Sequence, residues 1–280
     1  MSSEVQVGLH SWSSPIAATL ILVVVALAYL RGWYRLRNAL PNVLSVWRLI
    51  AFVSGLLSLW AAVVSPLAVL DHQLLTAHMV QHLLLMTVAA PLILLGAPVI
   101  TLQRGLPQRF VLGILNPLVR WRPVHGFGRI VTHPVFCWLA ATGTVIACHV
   151  PVLFELGMQS QRWHAVEHAC FLAAGLLFWL PVVQPWPTLA RWPQWSVPLY
   201  LFLATLPCDA LSAFLTFCNR VVYPQYLSAH RLFEISALGD QECAGALMWV
   251  WVTFVYLAPA AAITIQILSP RRHSLKTEVV

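Results

Sequence analysis

Seven stretches of the chain are apolar for long enough to cross a bilayer, and polar positions fall mostly between them. A spanning helix needs about 20 mostly apolar residues. The candidates are 14–30, 44–64, 74–100, 134–154, 164–183, 197–217 and 241–268. Inside hydrocarbon the backbone finds no water to bond, so these runs are expected as helices rather than strands. The pattern predicts an all-α, polytopic bundle of seven transmembrane helices, a single membrane domain over residues 1–280. The third and seventh runs are longer than a bilayer requires, and Pro91 and Pro98 are the expected places for the third to bend.

Composition agrees with lipid as the solvent. The chain is 60% hydrophobic and only 9% charged, against roughly 25% charged in a soluble domain. The net charge of +7 is no nucleic-acid footprint, because the arginines lie between apolar runs instead of on one basic face. Their placement predicts orientation. With the N-terminus outside, one side receives Arg31, Arg35, Arg37, Arg48, Arg104, Arg109, Arg120, Arg122, Arg129, Arg191, Arg271, Arg272 and Lys276, and the other only Arg162, Arg220 and Arg231. Cytoplasmic loops carry the excess of Lys and Arg, so the C-terminus is expected inside. No Lys or Arg precedes the first run, the charge order of an uncleaved first helix and not of a signal peptide. The segment 108–121 is expected along the inner interface, and the last ten residues as a solvated tail. Six cysteines without a CxxC pair read as small buried hydrophobes.

Once the runs alternate in direction, the histidines sort by depth. His78 and His82 sit at i and i+4 in the outer part of the third run, on one helix face and about 6 Å apart along its axis. His164 and His168 repeat the device in the fifth, and His149 lies near the outer end of the fourth, just before Pro151. Polar groups within a bilayer are costly and mark functional paths, and neutral imidazole binds copper, zinc, iron and nickel. Metal-binding histidines usually need an acceptor behind them. Glu167, Asp240, Gln241 and Glu242 are available for this, and Asp71 precedes the third run. Met86 continues the His78/His82 face, whereas Met79 points elsewhere on the helix; both are weak signals for Cu(I). Asp209 is an unusual carboxyl inside the sixth run. His125 and His133 fall at the inner side, and His10, His72 and His230 lie in loops, a second rank of candidates.

The stretch AHMVQHLLLMTVAAPLILLGAP at 77–98 resembles the signature of the CtaG-type cytochrome c oxidase assembly factors. Further matches follow in order: HP at 133–134, CHVP at 148–151, HAVEHACFLAAGLLFWLPV at 164–182, YPQY at 223–226 and DQECAGALMWV at 240–250. The resemblance runs from about Trp12 to about Pro259, and the series HMxQH, HxxEH and DQxxAG is a specific combination. It implies a seven-helix protein of the bacterial inner membrane, required for making an active haem-copper oxidase through copper handling. Its partners would be oxidase subunits and a periplasmic copper chaperone. The family's histidines fall on His78, His82, His149, His164 and His168, and its DQ pair on Asp240 and Gln241. The six cysteines form no copper-carrier motif.

Two other functions stay open at the level of sequence. A membrane redox protein would hold haem between histidines of the third and fifth helices. A metal transporter would need polar residues continuing to the inner side, where the runs are almost wholly apolar. A retinal protein is excluded, since the only lysine is Lys276. No Ser–His–Asp series, phosphate loop or carboxylate pair stands out, so no enzyme is expected.

Overall fold

A computed structural model describes residues 3–40, 44–115, 117, 122–185, 192–193, 195–228 and 234–269. These residues are mostly helical and contain no strand. In chain order the elements used below are α1 (Ser3–Leu36), α2 (Val46–Val64), α3 (Leu67–Leu70), α4 (Leu75–Leu95), α5 (Pro98–Gly105), α6 (Arg122–Val131), α7 (Pro134–His149), α8 (Pro151–Gln159), α9 (Gln161–Val183), α10 (Ser196–Phe217), α11 (Gln225–Ser228) and α12 (Ala237–Leu268). Among the described residues six helices are long and apolar enough to cross a membrane, seven if the bent pair α7–α8 is counted as one span.

The expected fourth span, 134–154, is two helices meeting at 76°. Pro151 is the cause. It forces Val150 out of the helical region to φ −66°, ψ 126°, which ends α7 at His149 and restarts the chain as α8 in a new direction. The third run behaves differently from expectation at one of its two prolines. Helix α4 continues through Pro91 but contains a π turn at Leu84–Ala89 just before it. The break comes at Gly96 and Ala97, the latter in the left-handed region at φ 48°, and Pro98 opens α5.

Helix packing follows the small residues, as expected where lipid removes most of the hydrophobic drive between helices. A Cβ on Gly245 of α12 would lie 2.6 Å from Thr216 Oγ1 on α10, and one on Gly175 of α9 would lie 2.8 Å from the Met86 backbone on α4. Helix α5 turns back against α1 at Gly32 and Gly105, where added Cβ atoms would meet the Thr101 and Ala28 carbonyls. A main core joins α4, α7, α8, α9, α10 and α12, and a smaller one around Tyr29, Trp33, Phe52 and Leu56 joins α1 to α2. Outward-facing Leu20, Val24, Leu27, Leu199, Phe202 and Phe254 are all exposed, an apolar exterior suited to lipid.

The π turn leaves backbone oxygens open to side chains. Trp179 Nε1 donates to the Met86 carbonyl at 3.0 Å and Trp251 Nε1 to Thr87 Oγ1 at 2.8 Å, so α9 and α12 are both fastened to α4 there. Of the loop region 101–133, α5 and α6 account for much. Residues 116 and 118–121 of the expected interfacial segment lie outside the described residues, as do Arg191, His230, Arg231, the tail 270–280 and the side chains of His10 and His125. Cys137 and Cys208 are buried as expected, whereas Cys170 and Cys243 are exposed on the apolar exterior.

Candidate metal centre

One end of the bundle collects the starts of α4 and α9, the end of α7, and α8 laid across them. The opposite end carries Arg31, Arg35 and Arg104 around a shared pocket. Along α4 the two ends are about 25 Å apart at 1.5 Å per residue.

The α4 face brings His78 and His82 together, ring centroids 4.3 Å apart. Ser160 caps α9 by accepting from the Trp163 amide, and the first turns then present His164, Glu167 and His168. His164 stacks on His78 at 5.4 Å with the planes 9° apart, His168 meets His82 at 5.9 Å, and His164 meets His168 at 4.2 Å. His149 ends α7, and its Nδ1 lies 2.7 Å from the Val145 carbonyl. A carbonyl only accepts, so the proton is on Nδ1 and the Nε2 lone pair is left free. Tyr223 donates to the His149 carbonyl at 3.0 Å and fixes that helix end.

Glu167 is central to the cluster. Its Oε1 is 3.7 Å from His78 Nε2 and 3.7 Å from His82 Nε2, and all three side chains are buried. Helix α8 covers it: Phe154 lies 4.8 Å from the His78 ring, and a Cβ on Gly157 would lie 2.6 Å from Glu167 Oε2. On the other side Phe171 stacks on His82 at 3.8 Å. Below His82 and His149 a cavity of about 30 Å³ is lined by Met79, Leu83, Met86, Phe171, Met248 and Tyr256. Met79 therefore faces the same space as Met86, in place of pointing away from it.

The five histidines singled out by spacing thus share one end of the bundle. Asp240 and Gln241 lie elsewhere in the hydrogen-bond network. Asp240 accepts from the Leu75 amide at 2.6 Å and the Thr76 amide at 3.1 Å, capping the start of α4 from the first turn of α12. Gln241 accepts from the Val222 amide and donates to the Leu215 and Arg220 carbonyls, tying down the segment after α10. His133 is at the far end, where Nδ1 accepts from the Val135 amide at the start of α7.

Spacing gave too little weight to Asp71 and His72. Both sit between α3 and α4, and Asp71 Oδ2 is 3.6 Å from His164 Nε2 while Oδ1 is 3.8 Å from His72 Nε2. The available signal was the Asp–His pair itself, seven and six positions ahead of His78. Tyr226 donates to the Asp71 carbonyl at 2.8 Å, and burial together with the neighbouring Asp71 carboxylate pushes that phenol well above its ordinary pKa, so it remains a donor.

The family model of the cytochrome c oxidase caa3 assembly factors matches residues 27–269. The chain belongs to that family. The histidine cluster thus lies on a chain of the caa3 assembly factor family. An uncharacterised Mycobacterium leprae protein is 24% identical over 250 residues, 85% of this chain and 36% of its own length. One from Mycobacterium bovis is 25% identical over 234 residues, 81% of this chain and 35% of its own. The chain therefore spans about a third of the length of the curated relatives it matches. No solved structure matches it.

Proposed function

We propose that this caa3 assembly factor holds copper as cargo at His78, His82 and Glu167, with His149, His164 and His168 around them, and assists its delivery to a cytochrome c oxidase subunit. The observation that carries the reading is the pair of 3.7 Å separations from Glu167 Oε1 to the two imidazole nitrogens. They are too long for hydrogen bonds. Ligands about 2.1 Å from one ion in tetrahedral directions are about 3.4 Å apart, so these donors need move only slightly to share one.

The polar accounting points the same way. Among the described residues, both nitrogens of His78 and His82, both oxygens of Glu167, and the Nε2 atoms of His149, His164 and His168 are buried with no hydrogen-bond partner. Native interiors leave only a few such atoms per 100 residues, and a cation coordinated among them would satisfy many at once. One carboxylate with imidazoles, and no cysteine in the group, suits a divalent ion better than Cu(I).

Neither alternative gains from the geometry. The imidazoles of α4 and α9 lie in contact, which leaves no slot between them for a porphyrin. Below the imidazoles the cavity is only about 30 Å³ and is lined by Leu83, Val145, Phe171 and Val252 with the thioethers of Met79, Met86 and Met248, a floor without a charged side chain to carry a divalent ion further. Copper would instead come and go on the same side. Taking the arginine end as the inner side, that side is the periplasm of a bacterial inner membrane, where a copper chaperone and the oxidase subunit would meet it.

The test is copper content and oxidase activity in cells carrying His78→Asn and His82→Asn together. The purified variant should lose the copper held at the buried trio, and the oxidase should lose copper and activity, while the protein stays in the membrane at wild-type level. Normal oxidase copper in that strain would overturn the proposal.

A further inference from the structure

The buried trio has a neighbour closer to the surface. Asp71, His72 and His164 also place one ligand atom each within 4.8 Å of one another. We infer that they form a second divalent-cation site, which receives the ion first and passes it through His164 to the buried trio. The inference rests on the copper reading only for the second half of that route.

Three observations carry it. The Asp71 side chain is 1% exposed, yet neither carboxylate oxygen has a hydrogen-bond partner among the described residues; its neighbours are the two imidazole nitrogens at 3.6 and 3.8 Å. A buried carboxylate with no donor is costly, and a cation between it and the imidazoles removes the cost. The position is also rigid. The Asp71 amide bonds back to Leu67 and its carbonyl accepts from Tyr226, so the carboxylate is held between α3 and α11 before any ion arrives.

Access is the third. A cavity of about 540 Å³ opens onto Asp71, His72, Gln161, His164 and His168, and the His72 side chain is 54% exposed. The buried trio has no comparable opening, being covered by Phe154, Gly157 and Phe171. His164 belongs to the outer trio through Asp71 and touches the inner one by stacking on His78. Rotation of one imidazole exchanges its nitrogen between the two. Ligand exchange of this kind needs no redox step, since the ion stays divalent and each new bond replaces an old one.

Cu(II) titration of the full chain in detergent, read by equilibrium dialysis and electron paramagnetic resonance, tests this. Wild type should bind two ions per chain. Asp71→Asn with His72→Asn should bind one and retain the signal of the buried site, but load it more slowly. His78→Asn with His82→Asn should also bind one, with the other signal. His72→Ala alone, at a half-exposed position that does not support the fold, should show the same loss as the first double variant. Two ions retained when Asp71 and His72 are replaced would overturn the second site, as would a single ion in wild type that only the His78/His82 variant loses. A single ion lost only on replacing Asp71 and His72 would instead sink the buried copper centre and leave the outer site standing.

Discussion

Alanine at Gly157 would put one methyl group against the carboxylate on which the buried centre turns. A Cβ there falls 2.6 Å from Glu167 Oε2 and 3.4 Å from its Cδ. Ordinary van der Waals contact for a Cβ begins near 3.4 Å, a shortfall of about 0.8 Å. The nearest atoms are the far end of a side chain, so the carboxylate gives way before α8 does. Glu167 Oε1 then loses its equal 3.7 Å spacing to His78 and His82. A displacement of that size is large against metal–ligand bonds of about 2.1 Å, and sites loosened by about 1 Å fail. Cu(II) affinity should drop tenfold or more, with an overpacking cost at the low end of about 1–3 kcal/mol. Competition with a chromophoric chelator measures the first and thermal unfolding the second. Gly143→Ala on α7 is the control, since a Cβ there meets nothing within 4 Å. If G157A binds copper as tightly as wild type, Glu167 is not a ligand and the proposed centre fails.

Other outcomes follow from the same contacts. Asp240→Asn weakens two amide caps on α4 and should cost about 1 kcal/mol of stability by thermal unfolding, leaving copper stoichiometry unchanged; loss of copper without loss of stability would reassign Asp240 to the site. Copper loading should be complete near pH 8 and be lost in acid, because protons compete with the ion for the imidazole lone pairs. A loading curve with no acid limb at any pH where the protein stays folded would show that imidazoles do not hold the ion. Gly105→Ala should separate α5 from α1 and lower stability by about 1–3 kcal/mol, with copper binding intact, because that crossing is at the arginine end.

The fold class was legible because lipid imposes a coarse rule: about 20 apolar residues per crossing. The depth of the histidines followed from alternation of those crossings. What sequence hid was direction within a run. An apolar count over 134–154 does not register that Pro151 turns the chain by 76°, and that turn is what lays Phe154 and Gly157 over the site. Asp240 falls at the expected outer end of its run beside polar neighbours, so it read as an acceptor for a histidine. Its actual partners are amides 165 and 164 positions upstream, and no local pattern reports that pairing. Asp71 and His72 were ranked low for the converse reason: a residue just outside a helix looks like a loop until the loop is folded against α9.

The apolar floor beneath His82 and His149 has an energetic corollary. A cation held above Met79 and Met86 would cross only part of the hydrocarbon, so its loading would do little work against the membrane voltage, which weighs about 2.3 kcal/mol per charge per 100 mV over a full crossing. On the copper reading the cluster would act as a one-mouthed cup, filled from the compartment it faces. On that reading, depolarising the membrane should leave occupancy of the cup nearly untouched.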